Sequence, residues 1–351
     1  MAKKRKTLPD NIQEIIDSGS LEDFAAVFDR CEISATDRGQ TTANILSYRG
    51  LTPAHIQFLI DRGIDINSDC GWHMPAVAYQ AYSSDNLQCL VDNGADINLC
   101  LGELYGNALY RAAAVLHDPV AAANLLRMGA SVDGRFGWHS NTILDDALIR
   151  CNNIYIINMV EIARMLLDAG AKITDDTPAH VRKIGETFEF YRANFDKGQV
   201  SDALQELYKL FDVEPVPMRT MHDGSSPIFV TEGTWPEQYS QLWDMLVPGT
   251  GAADTVQGEV IRIVGKISYE LLDNGAVNWD DDYRKMASAL TEYFHMADGL
   301  DSALVDEACA IAKKLSSKTD ERTLARLTEL AVKWVIATPA PVKLGDVDYR
   351  R

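Results

Sequence analysis

The feature that most constrains the fold is a segment that recurs four times. An amphipathic helical stretch with adjacent apolar residues runs into a glycine, and a short alternating segment follows. The copies are Phe58 to Asn67, Cys89 to Asn98, Asn124 to Asp133 and Met165 to Thr174. Their glycines, Gly63, Gly94, Gly129 and Gly170, stand 31, 35 and 41 residues apart. A period of that length marks a stacked repeat, in which neighbours bury for one another the apolar face that no unit buries alone. In each copy an apolar pair such as Leu125 and Leu126 lies on the buried face of a helix. The glycine then takes the left-handed conformation that ends it. Between the anchors a second short helix, rich in small residues, is expected at Asn107 to Ala113 and at Asn141 to Ala147.

The ending Gly94-Ala95-Asp96-Ile97-Asn98, with its counterparts at Gly63, Gly129 and Gly170, resembles the ankyrin repeat family, whose units open on Thr-Pro-Leu-His-x-Ala and close on Gly-Ala-Asp-x-Asn. The opening pattern is degenerate. Thr52-Pro53-Ala54-His55 lies too close to Gly63 to begin a unit and is placed at the head of a second helix, whereas Thr177-Pro178-Ala179-His180 begins a helix in the family's slot. Pro9 to Ser18 and Leu21 to Arg30, separated by Gly19, form a further helix pair, with Cys31 where a glycine is expected. The array therefore reads as a cap, four central units and a closing unit over residues 9–213, with an insertion from Cys151 to Asn158 taking up the longest spacing.

Pro215, Pro217 and Asp223 to Pro227 mark a boundary by turn chemistry. Beyond it the pattern is helical and does not repeat. Thr234 caps a helix from Trp235 through Leu246, and others are expected over Asp254 to Leu272, Asn278 to about Ala297, Asp301 to Leu315 and Asp320 to Ile336. Gln257-Gly258-Glu259 with Arg262, Tyr269-Glu270, Asn274-Gly275, Asn278-Trp279-Asp280 and Tyr283 look similar to an all-helical domain of bacterial proteins that implies no activity. Two readings of the acids stand side by side. Glu259 and Arg262, three apart, form a structural ion pair, or Glu259, Glu270 and Asp280 to Asp282 converge on a divalent cation.

The expected fold class is all-α: an ankyrin-repeat solenoid of helix-turn-helix pairs with short hairpin-like fingers, plus a C-terminal helical domain. The expected divisions are a basic disordered N-terminus (1–8), the array (9–213), a linker (214–234), the helical domain (235–337) and a tail (338–351).

Charge narrows the partners. The formal net charge is −18, with 25 acids against 15 bases in residues 201–351 and 26 against 18 before them. Such a surface repels phosphate backbones and attracts basic proteins, so nucleic acid is not an expected partner. No apolar run is long enough to span a membrane, and Lys3 to Lys6, followed by Thr7-Leu8-Pro9-Asp10, is no secretory leader. Cys31, Cys70, Cys89, Cys100, Cys151 and Cys309 show neither Cys-x-x-Cys nor histidine-paired spacing, which reads as free thiols in the cytoplasm. No phosphate loop, His-Glu-x-x-His helix or nucleophile elbow is present. The expectation is a protein that is not an enzyme and takes no cofactor or metal.

The resemblance implies protein binding. Together with the acidity, it points to a non-catalytic adaptor or inhibitor, in its most specific form an immunity protein neutralising a basic toxin domain. Two alternatives stand beside it. One is an enzyme or metal-dependent regulator in which the helical domain acts and the repeats select the substrate. The other is a bacterial effector directed to a host by its basic N-terminus. Trp72, Tyr105 and Trp138 are spaced 33 and 33 residues apart, just before successive first helices, and Gly71-Trp72-His73 is repeated as Gly137-Trp138-His139. The family's fingers occupy that segment. Trp72, His73, Tyr105, Trp138 and His139, with Tyr110 on the helix that follows, are thus the expected protein-binding residues.

Overall fold

Each central repeat ends its second helix in the same hydrogen-bonded way, and the rest of the repeat is built on that ending. The computed structural model describes residues 3–39, 42–195 and 198–351. In its first unit, β1 (Arg5–Thr7) precedes the cap pair α1 (Ile12–Ser18) and α2 (Leu21–Arg30), and β2 (Cys31–Thr36) follows. The next pair is a 3-10 turn (Ile45–Ser47) with α3 (Pro53–Asp61), then α4 (Ala76–Gln80) with α5 (Ser84–Asp92). In the fourth pair α6 (Ala108–Tyr110) runs into a π-helical turn (Arg111–Val115) before α7 (Pro119–Arg127). A hairpin of β3 (Arg135–Phe136) and β4 (Asn141–Thr142) leads to α8 (Ile143–Arg150) and α9 (Ile156–Asp168), and α10 (Thr177–Tyr191) and α11 (Gln199–Leu210) close the series.

The endings of α3, α5, α7 and α9 are Schellman motifs. The backbone N–H groups of Ile64, Ala95, Ala130 and Ala171 donate to the carbonyls of Leu59, Leu90, Leu125 and Leu166 at 2.9–3.1 Å, and the preceding glycines donate to the next carbonyls, those of Ile60, Val91, Leu126 and Leu167. Gly63, Gly94, Gly129 and Gly170 hold φ between 82° and 96°. The leucines are fully buried. The motif's asparagine ties one repeat to the next. Asn67 accepts from the Asp96 N–H at 2.8 Å and donates to the Gly94 carbonyl at 3.2 Å, and Asn98 accepts from the Ser131 N–H at 2.8 Å. Buried amides add a second set of ties: Gln80 donates to the Leu46 and Tyr48 carbonyls, Asn86 to Leu51, and Asn124 to Ala81. Each serves a carbonyl that would otherwise be buried without a partner.

Thr52 caps α3 with His55 in a reciprocal box, at the head of a second helix, and α10 opens at Thr177. Cys151 to Asn158 is not wholly an insertion, because α9 begins at Ile156 and residues 151–155 alone lengthen the turn. The N-terminus corrects the expectation of disorder over 1–8. Arg5–Thr7 pairs in parallel with β2, Lys4 donates to the Phe28 carbonyl and Leu8 is buried. Residues 1 and 2 lie outside the described residues. Cys31, standing where a glycine was expected, is extended and starts β2, so the cap closes through a strand pair.

The second unit takes Glu189–Phe195 and Pro217–Arg351. Its helices are α12 (Trp235–Leu246), α13 (Val256–Ser268, continued by a π turn, Tyr269–Asp273), α14 (Asp281–Tyr293), α15 (Ser302–Ala312) and α16 (Glu321–Ala337). α13 is buried almost all round, packing on α12, α14 and α16. Its polar centre is internally satisfied. Arg262 makes a forked pair with Glu259 at 2.6 and 2.8 Å, and both side chains are buried. Glu259 also accepts from the Tyr349 hydroxyl and the Ala253 N–H, each at 2.9 Å.

Two expected divisions are corrected here. Residues 338–351 are not a tail: Gln257 bonds Thr338, Ala340 and Val342, Val256 donates to Val342, and Tyr349 is buried against Glu259. Residues 217–234 are not a free linker. Ile228 is buried and donates to the Pro339 carbonyl, while the Arg219 guanidinium caps the carbonyls of Trp243, Asp244 and Val247.

Two predictions follow from buried charge. Glu259→Gln leaves Arg262 buried beside a neutral partner and should cost about 3 kcal/mol in urea unfolding, most of it recovered in Glu259→Leu/Arg262→Met. In the repeats, His117 is buried, its Nε2 bonded to the Ala147 carbonyl and its Nδ1 without a partner among the described residues. Burial lowers its pKa, against the opposing Ala147 bond, and burial lowers that of His55 as well. The unfolded chain therefore binds these protons more readily. Their contribution is complete above the unfolded pKa of about 6.5 and is lost as pH falls below it, by at most about 1.4 kcal/mol per pH unit for each group. Unfolding midpoints at pH 7.5 and 5.0 should show a smaller loss in His117→Gln than in the parent.

Candidate protein-binding surface

The fingers are tight turns set by glycine. Gly71, Gly102 and Gly137 each stand eight residues beyond a helix-ending glycine. Each begins a turn closed by a backbone bond: Met74 N–H to Gly71 at 3.1 Å, Tyr105 N–H to Gly102 at 2.9 Å, and Ser140 N–H to Gly137 at 3.3 Å. Neighbouring segments are bonded to one another, Asn44 N–H to the Cys70 carbonyl at 3.2 Å and Gly137 N–H to Glu103 at 3.1 Å.

This register places Trp72, Glu103 and Trp138 at one position of the turn, and His73, Leu104 and His139 at the next. The two tryptophans are equivalent, 62% and 82% exposed, and neither joins a ring contact among the described residues. Tyr105 is not in their register. It lies two positions on, 41% exposed, with its ring 4.6 Å from that of His73 on the preceding finger. Packing between fingers accounts for one side of Tyr105. His73 is exposed and lies 3.5 Å from Asp69, and His139 is exposed beside Trp138. Counting aromatic spacing missed Leu104, which is 46% exposed at the middle tip; counting from the helix-ending glycine finds it.

The two tripeptides differ in backbone. Trp72 and His73 themselves hold φ of 56° and 55°, whereas in the second copy only Gly137 and Ser140 are left-handed. A bulky residue in that region is strained by roughly 1–2 kcal/mol, so the first turn holds its tryptophan out at a cost.

Tyr110 is a correction. It is 1% exposed and cannot meet a partner directly. Its hydroxyl donates to Asp146 at 2.5 Å and accepts from Arg150 at 3.1 Å, while Asp146 also accepts from Asn141. Burial, then the Asp146 bond, pushes the phenol up to about 12. Burial would raise the Asp146 carboxyl, but the bonds from Tyr110, Asn141 and Arg150 outweigh it and lower its pKa. The Phe136 ring meets the Tyr110 ring edge-on at 5.3 Å. The Tyr110 network therefore anchors both strands of the hairpin that carries Trp138.

The acids of the helical unit do not converge. Glu259 is engaged by Arg262, Glu270 by Asn274 and Asn278, and Asp280 by Arg351. Among the described residues no group of three or more His, Cys, Asp or Glu is placed to hold a metal, and no helix is long and apolar enough to cross a membrane.

The repeated helix pairs, their Schellman endings and their fingers give the first unit, Met1–Phe188 with Asp196–Val216, the fold of an ankyrin-type repeat array. No family model and no curated protein matches the chain. Among solved structures it is similar to an ankyrin repeat domain from Acinetobacter baumannii AYE, at 20% identity over 57% of this chain and 95% of that one, with a TM-score of 0.41. It is also similar to the human ASB11 ankyrin repeat domain, at 15% identity over 57% and 84%, with a TM-score of 0.40.

The distinction between tip and anchor is measurable. Trp138→Ala should leave unfolding stability within about 0.5 kcal/mol, and Trp72→Gly should raise it by up to about 1 kcal/mol by relieving the left-handed strain. Tyr110→Phe should lower it by about 1–3 kcal/mol, since Asp146 and Arg150 each lose a bond at a buried site.

Proposed function

We propose that the repeat array is a protein-binding module and that the finger turns carry the contact, the chain acting as a non-catalytic adaptor or inhibitor. The supporting observation is the pair of equivalent, exposed tryptophans on glycine-closed turns. Rigid aromatics lose little conformational freedom on binding and dominate interface hot spots. Leu104 and one face of Tyr105 extend the apolar surface, His73 and His139 add hydrogen-bonding groups beside the rings, and Tyr110 acts from below by holding the last hairpin.

Charge chooses the partner. The three finger segments, residues 64–75, 95–106 and 130–141, contain five acids, Asp65, Asp69, Asp96, Glu103 and Asp133, against the single base Arg135. A basic protein surface complements them. In its most specific form the reading is an immunity protein that masks a basic toxin domain whose natural target is polyanionic. A reducing, cytoplasmic setting accords with six free cysteines, of which burial pushes Cys70 and Cys151 up to about 12.

Immobilised full-length protein should retain a basic partner from a lysate of its native organism. Trp72→Ala and Trp138→Ala should each weaken that complex by about 2 kcal/mol without lowering the melting temperature. Association should slow as salt is raised, because the steering field is screened over roughly 8 Å at physiological ionic strength. Undiminished binding by the double variant would remove the fingers from the interface, and salt-independent rates would remove the basic partner.

A further inference from the structure

The helical unit contains a cleft of about 830 Å³ whose walls combine aromatic rings with one uncommitted charge. Gly265 makes it possible: a Cβ there would overlap the Tyr239 hydroxyl and the Trp243 ring, so these two side chains close directly on α13. Phe190 stacks on Trp243 with centroids 6.0 Å apart and planes 13° from parallel, and the exposed Tyr269 also lines the space. A site of this size, lined by rings and a few polar groups, has the composition of a small-molecule pocket.

Two charged side chains, Lys266 and Glu270, line this space, and their surroundings differ. Glu270 is buried and already engaged: it accepts from Asn274 Nδ2 at 2.7 Å, from the Asn278 N–H at 2.5 Å and from Asn278 Nδ2 at 3.3 Å. Its carboxylate has little left to offer a cation. Lys266, half-buried on the same helical stretch, has no carboxylate within ion-pair distance among the described residues. Glu259, whose charge reaches it, is held in a forked pair by Arg262. Desolvation first, and then the Arg262 charge, lower the Lys266 pKa against the opposing charge of Glu259.

We propose that this cleft binds a small planar anion, an aromatic carboxylate, with its ring against Tyr239 and Trp243 and its carboxylate on the Lys266 ammonium. The class follows from the parts: flat apolar walls select a ring, and an unpaired, partly desolvated lysine selects a negative charge. Background anion binding does not mimic it, because residues 201–351 carry 25 acids against 15 bases and repel anions elsewhere.

The test uses the full-length protein and three probes of one shape: 2-naphthoate, neutral 2-naphthamide and cationic 2-naphthylmethylamine, titrated by calorimetry and ligand-observed NMR. The unaltered protein should bind 2-naphthoate at least tenfold more tightly than the amide and should not bind the amine detectably. Lys266→Met should abolish the preference for naphthoate over amide, and Lys266→Arg should keep it. Gly265→Ala, which crowds the rings, should weaken both. Equal binding of acid and amide, binding of the amine, absence of any binding, or an unchanged preference in Lys266→Met would overturn the proposal. The comparison of probes on the unaltered protein stands even if a variant fails to fold.

Discussion

A stacked repeat stands or falls on where each helix stops, because the stopping point sets the direction in which the chain leaves. Here the stop is torsional. A Cβ at Gly63, Gly94, Gly129 or Gly170 would meet no atom within 4 Å, so no close approach demands glycine; the left-handed φ of 82–96° does. That φ turns the next N–H back onto a buried leucine carbonyl four times over, and Asn67 and Asn98, each four residues after its glycine, join the new segment to its neighbour. Each finger turn then falls eight residues downstream. One backbone preference, worth about 1 kcal/mol per site, fixes the register of helix, tie and finger together. The cap shows the alternative: with Cys31 in place of glycine, the chain leaves α2 extended and is held by a strand pair.

Both units bury polar groups in pairs, and the partners are drawn from different distances along the chain. In the array, neutral amides on Gln80, Asn86 and Asn124 satisfy carbonyls of adjacent repeats, an arrangement that suits short interfaces repeated along an axis. In the helical unit, a charged pair sits in the middle of α13 and is completed by a residue some ninety positions later, Tyr349. A buried ion pair is a poor source of net stability but is costly to break. It therefore acts less as glue than as a condition: the final segment has to be seated for Glu259 to be satisfied.

Much of this was legible in the residues, and the reasons for the exceptions are physical. The longer helices, such as α2 and α12 to α16, were readable because apolar periodicity and end signals agree over ten or more residues, and Thr234-Trp235-Pro236-Glu237 forms a capping box. The segments expected to be linker and tail carry no periodicity. What holds them is single side chains, Ile228 and Tyr349, and backbone carbonyls read by Gln257 and Arg219, and none of these leaves a local pattern. The finger register was obscured because the eye follows aromatics. A spacing of 33 and 33 aligns Tyr105 with the tryptophans, while the glycines at 31 and 35 align Glu103. Tyr110 was misplaced for a related reason: on a helix of small residues a lone tyrosine looks exposed, but the alanines around it are what let its ring be enclosed.

The backbone of the first finger bears on what the fingers are for. Trp72 and His73 both sit in left-handed torsions that asparagine or glycine would occupy at less cost. Strain of that kind persists where the surrounding structure enforces it, and here the enforcement is visible: Asp69 caps the Gly71 N–H, Tyr79 donates to the Gly71 carbonyl, and Met74 closes the turn. Stability gains little in return, since the Trp72 ring remains largely in water. A strained backbone here positions an exposed indole, and a second exposed indole stands at the matching site two fingers on. On the proposed function, a partner surface that buried both rings would supply the missing term.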